Sequence, residues 1–263
     1  DQASNDPLTE KEEEDSWLLS LHNLNFVNFE SITWNQAKLS GQTTIKLDLN
    51  KDKQGLLSLP NIQLEINEAQ LTDGDATLTN IHHLALHSDL PARKENDDLS
   101  AWLLSGESNI QLNAELVGFD YLKTLLPETS WFDLSIGTVQ AYGEVAVKNN
   151  TWQEGSELRL ESENISVDFL EQKANGTGAI VFETNEVRSL IEVQLQKYSI
   201  EKNNELEVIG ENFQISLTTD DKRIRPDVAS LKVHVILPEA KIENLGFISS
   251  FLPKASGLEI LKG

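Results

Sequence analysis

Residues 121–137, YLKTLLPETSWFDLSIG, decide how this chain is read, because residues 247–263, FISSFLPKASGLEILKG, repeat their pattern without a gap 126 positions later. Leu126-Pro127 falls on Leu252-Pro253, Ser130 on Ser256 and Gly137 on Gly263, while Phe132 and Leu134 fall on Leu258 and Ile260. Internal repetition points to a fold built from like units. In the first copy an apolar helical turn (Tyr121, Leu122, Leu125, Leu126) is stopped by a proline, which cannot continue a helix. Polar residues follow, then an alternating strand through Phe132, Leu134 and Ile136 that ends at glycine. The repeat predicts two short helical turns, before Pro127 and Pro253, in equivalent positions. The second copy stops at the last residue and position 1 is not methionine, so a longer parent protein is expected.

Outward from this repeat the chain reads as strands. Asn61–Asn67 (NIQLEIN) alternates through Ile62, Leu64 and Ile66, and residues 43–50 through Ile45, Leu47 and Leu49. Leu190–Leu195 does the same with Ile191, Val193 and Leu195. Residues 23–29 slip register after Phe26, which predicts a bulge. Ser40-Gly41, Lys51–Gly55, Asp73-Gly74 and Asn175-Gly176 read as turns, and 92–98 as a polar loop. Leu99–Leu104 suits either a strand or a short helix. Asparagine recurs just before alternation, at Asn23, Asn61, Asn80, Asn109, Asn164 and Asn212. It suits the turn entering a strand, because its side chain bonds nearby backbone and it tolerates left-handed dihedrals. Strands with one apolar face and few crossover helices imply antiparallel meanders. The expected fold is therefore mainly β: a long antiparallel amphipathic sheet with two short helical turns. Residues 1–15 form an acidic lead-in, 16–137 a first β module and 138–263 a second that continues the same sheet.

Composition narrows the function. A formal net charge of −22 argues against nucleic acid and against attraction to anionic headgroups, so any lipid contact would be through tails. The absence of cysteine excludes thiolate zinc sites and disulfides, and fits either the cytoplasm or an oxidising compartment. His82, His83 and His87 are the one local histidine cluster, but on a strand His82 points away from the other two, so no metal site is expected. The chain has no nucleophile elbow, phosphate-cradling glycine loop or zinc-protease helix motif, and its many carboxylates single out no catalytic pair. The expectation is no enzyme and no cofactor. Trp17, Trp34, Trp102, Trp131 and Trp152 are scattered, as core or rim packing would have them.

The repeated unit, with its short helix, Leu-Pro, serine, alternating strand and glycine, resembles the AsmA-like family of periplasmic bridge-like lipid-transfer proteins, of TamB and YdbH type. So do the long amphipathic strands and strand-entry asparagines. The resemblance implies a sheet curled into an open, taco-like groove with apolar side chains inside. It also implies a periplasmic chain, anchored to the inner membrane by a segment outside this sequence, that carries phospholipid or another acyl lipid between inner and outer membranes. On that reading Ile45, Leu47, Ile62, Leu64, Ile66, Ile191, Val193 and Leu195 line one lipid groove. A sheet with one apolar face must cover it with a second sheet, a helix or a ligand. A structural or adhesive β-sandwich with a dry core therefore stands beside the groove as the alternative.

Overall fold

Nearly every alternating stretch of the sequence is a strand. A computed structural model of the chain describes residues 18–34, 37–74, 76–94, 98–117, 132–169 and 172–243. Among these lie β1 (Leu19–Trp34), β2 (Ala37–Lys51), β3 (Leu57–Asp73), β4 (Ala76–Arg93) and β5 (Glu107–Val117). They are followed by β6 (Phe132–Ile136), β7 (Thr138–Lys148), β8 (Thr151–Trp152), β9 (Glu157–Phe169) and β10 (Gln172–Thr184). The last strands are β11 (Ser189–Lys202), β12 (Glu205–Thr219), β13 (Lys232–Ile236) and β14 (Glu239–Ile242). Leu99–Ser105 resolves to a helix, α1, and Val228–Ser230 forms a 3-10 turn.

All pairings are antiparallel, in one sheet of order β1-β2-β3-β4-β5-β7-β9-β10-β11-β12-β13 that does not close into a barrel. The first and second halves of the chain share it, joined where β5 pairs with β7. β6 and β7 meet β9 in one register, Phe132 opposite Phe169 and Gln140 opposite Glu161. Between them Gly137 N–H still donates to the Asn164 carbonyl at 3.0 Å. The helical turns expected before Pro127 and Pro253, the second copy at 247–263 and the lead-in at 1–15 lie outside the described residues.

The strands are longer than their sequence punctuation suggests, because most of that punctuation marks bulges. Ser40-Gly41 does not turn the chain: β2 runs through it with a register shift against β3, and a Cβ at Gly41 would lie 2.4 Å from that of Ala69. Asn175-Gly176 likewise sits inside β10. Asn23, Asn61 and Asn212 have φ of 54°, 57° and 61°, but inside β1, β3 and β12 rather than before a strand. At Asn23 and Asn61 the ladder shifts register, and Pro60, which has no N–H to give, stands just before the second shift. A bulged N–H leaves its ladder and needs another acceptor. Asn23 N–H donates to Asp48 on β2, and Asn61 N–H to Asp89 on β4, both at 2.7 Å. The first of these bonds holds the Asp48 carboxyl below its usual pKa. Lys51–Gly55 and Asp73-Gly74 do turn the chain, the latter as a hairpin with Asp73 opposite Ala76. Further tight hairpins form at Asn149-Asn150 and Asn203-Asn204, where all four residues have positive φ, as mirror-image two-residue turns require.

The sheet doubles over its apolar face. Phe169 on β9 and Phe213 on β12 are three strand positions apart, about 14 Å on a flat sheet. Their ring centroids are nonetheless 5.7 Å apart. Tyr198 packs against the same Phe213 ring at 5.2 Å. Val167, Ile200 and Val208 are completely buried around this contact, so the β9–β12 half contains a dry core.

Candidate functional site

Residues opposite one another in an antiparallel pair point to the same face. One row of partners runs Phe26, Ile45, Leu64, Leu86, Ile110, Val145 across β1 to β7. The next row runs from Thr43 through Ile66, Leu84, Leu112, Gly143, Leu158 and Phe182 to Ile191 and Leu217. Leu47 and Ile62 lie two residues from Ile45 and Leu64 on unbroken ladder segments, and Val193 and Leu195 follow Ile191 in the same way. All eight residues singled out in the sequence therefore share one face. Gln63, Glu65, Gln111 and Glu144, between them in sequence, point to the other.

Burial divides the eight. Ile45, Leu47, Ile62, Leu64 and Ile191 are half-buried, whereas Ile66 is 4% exposed and Val193 and Leu195 are 1% exposed. Over β2–β7 the apolar face forms a half-covered trough. At Val193 and Leu195 it is closed by the packing around Phe213, so these two belong to a dry core and not to an open groove.

The trough leads into a cavity of about 330 Å³ whose sheet-side walls come from β5, β7, β9, β10, β11 and β12. Ile110, Leu112, Val145, Leu158, Phe182 and Ile191 line it, all from the two rows above. Leu104, at the end of α1, lines it too. α1 is seated by Trp102, whose indole N–H donates to the Pro91 carbonyl at 2.6 Å and whose ring lies under the Arg93 guanidinium at 4.8 Å.

The far wall is a strap, residues 220–231, which leaves β12 and crosses the face to the β7–β8 turn. Trp152 N–H donates to the Lys222 carbonyl at 2.9 Å, and Ile224 N–H to the Asn150 carbonyl at 3.1 Å. Asn150 N–H in turn donates to the Leu104 carbonyl at 2.7 Å, so the same asparagine turn ties down both strap and helix. Asp221 organises the strap. Its carboxylate accepts from the Arg223 guanidinium, with Nη2 at 2.5 Å, and from the Asp227 and Arg223 N–H groups at 3.0 and 3.2 Å. The Arg223 bond above all, helped by these N–H groups, holds the Asp221 carboxyl well below the usual carboxylate range against the opposing effect of burial.

The histidines do not converge. His83 bonds Asn67 at 2.8 Å and His87 stands opposite Gln63 on the polar face, while His82 lies 3.8 Å from Glu68. Among the described residues no three His, Asp or Glu side chains come together as metal ligands. Sequence reading missed the strap, Trp152, Phe182 and Ile224. Ile224 stands alone among charged residues with no periodicity to mark it, and Trp152 falls in a two-residue strand too short to alternate. Compared with protein-family models, curated proteins and solved structures, the chain matches none.

Proposed function

We propose that this protein holds the acyl chain of a phospholipid or similar lipid along the trough, as the periplasmic part of an AsmA-like carrier between inner and outer membranes. The observation that carries the reading is the continuity of two largely apolar rows, the first half-buried over β2–β5 and the second buried at Thr43 and Ile66 and half-buried at Leu84 and Leu112, with a cavity bounded almost wholly by hydrocarbon. The dimensions suit a single tail. From β2 to β7 is four strand spacings, about 19 Å, and one leaflet of a bilayer is about 15 Å of hydrocarbon. Sheltering ten methylenes from water is worth about 8 kcal/mol before the costs of association. Contact through tails also suits a chain with a net charge of −22, which repels anionic headgroups. On this reading the protein does no chemistry, and partners in the two membranes deliver and receive the lipid. Among the described residues no helix is long and apolar enough to cross a membrane.

The dry core around Phe213 favours the second reading, a structural or adhesive β protein, for the β9–β12 half. Native mass spectrometry of the purified chain separates the two. The carrier reading expects co-purified phospholipid, lost in Leu64→Asp while the variant stays folded. A wild-type chain free of lipid, even after incubation with phospholipid vesicles, leaves the structural reading in its place.

A further inference from the structure

The cavity has one polar end, and we infer that it takes the ester carbonyl of an acyl lipid there, on the Ser189 hydroxyl. The inference rests on the acyl-chain reading above and fixes one resting position of the lipid on its path. Along unbroken ladder segments, Thr184, Ser189 and Thr219 form the row next to Phe182, Ile191 and Leu217, on the same face. They are 3%, 6% and 4% exposed, so buried hydroxyls stand where the neighbouring row carries hydrocarbon. Ser189 and Thr219 line the cavity beside it.

These hydroxyls differ in their hydrogen bonds, since each has one hydrogen to give. Ser230 Oγ donates to the Asp227 carbonyl at 2.7 Å, so in its 2.6 Å contact with Thr219 the threonine is the donor. Thr219 also accepts from the Asp221 N–H at 3.0 Å, which leaves it satisfied. Thr184 and Ser189 have only each other, at 3.1 Å. Two hydrogens share that one bond, and among the described residues the second finds no acceptor. A buried donor left without an acceptor is costly. Ser189 is the member of the pair that lines the cavity, so Thr184 donates to Ser189 and Ser189 to an oxygen within the cavity. That oxygen is neutral: Asp221 and Arg223, which line the same end, neutralise each other and leave no charge for a free carboxylate.

The row also orients the lipid. β10 ends at Thr184 and β11 begins at Ser189, so the row lies at the rim of the face, beside the exposed turn 185–188 where a headgroup meets water. From Ser189 the tail follows Ile191, Phe182, Leu158 and Leu112. From β11 to β5 is four strand spacings along the sheet, about 19 Å, which accommodates one acyl chain.

Vesicles of equal parts dipalmitoyl phosphatidylcholine and its diether analogue, which has the same tails but no carbonyls, test this by native mass spectrometry of the full chain after incubation. Wild type should carry the ester form over the ether form by about fivefold, the worth of one neutral hydrogen bond. Ser189→Ala should carry both equally, whereas Thr184→Val, which frees the Ser189 hydrogen, should keep the preference. If wild type carries neither lipid, the acyl-chain reading itself fails. If wild type carries both without preference, if folded Ser189→Ala keeps the preference, or if folded Thr184→Val loses it, the carbonyl site is overturned and the carrier reading survives.

Discussion

Leu64 and Val193 face the same side of one sheet, yet the same substitution should separate them sharply. Val193 is 1% exposed within the core around Phe213. A carboxylate there has neither water nor a cation, and full burial raises a carboxyl pKa by about 3–5 units. At about 1.4 kcal/mol per unit between the unfolded value and pH 7, above which the buried carboxyl takes up a proton instead, Val193→Asp should cost about 4 kcal/mol at neutral pH, plus the lost packing of the valine. Domain stabilities are about 5–15 kcal/mol, so the variant should be largely unfolded or melt far below wild type. The ionisation part of the loss should return near pH 4, where the carboxyl is protonated in the unfolded chain as well. Leu64 is half-buried over the trough, and its substitute keeps access to water. Leu64→Asp should then cost about 1 kcal/mol, the lost partial burial of the leucine. Urea melts followed by far-UV circular dichroism at pH 7 and pH 4 measure both. Equal, severe destabilisation would show that the face over β3 is as tightly covered as that over β11. A harmless Val193→Asp would refute the dry core.

Two further outcomes follow from local chemistry. Asp221 has its folded pKa depressed by Arg223, so its stabilising bonds are complete above the ordinary carboxylate value of 3.8 and are lost as pH falls through the lowered one. Amide protection factors across residues 220–231, corrected for intrinsic exchange, should fall in strong acid, and Asp221→Asn should lower them at pH 7; unchanged protection in the variant would show that Asp221 does not hold the strap. Asn61→Ala places a Cβ-bearing residue without a polar side chain at a φ of 57° and should destabilise by about 1–2 kcal/mol, while Asn61→Gly should stay close to wild type in thermal melts.

Which residues travel together on one face was already decided by the sequence. Side chains alternate with a period of two, and Ile62, Leu64 and Ile66, or Ile191, Val193 and Leu195, keep that period whatever strand lies beside them. Strand content and the single apolar face follow from the same local rule, and antiparallel pairing from the scarcity of crossover helices. Element lengths did not follow. Asparagine and glycine serve a bulge as well as a turn, since both need the left-handed region, and only the neighbouring strand decides between them. Thus Asn61 lies inside a seventeen-residue strand, its N–H turned to Asp89, while Asn203-Asn204 reverses the chain. Burial was the tertiary structure's alone to settle. Leu64 and Val193 sit in equally regular alternation, but one is half-buried over the trough and the other is buried in the core around Phe213, where the sheet doubles over at β9–β12. The wall of the cavity was equally hidden. Ile224 and Trp152 are seventy-two residues apart, neither belongs to a periodic run, and they meet only because the strap returns across the face to pair with the β7–β8 turn.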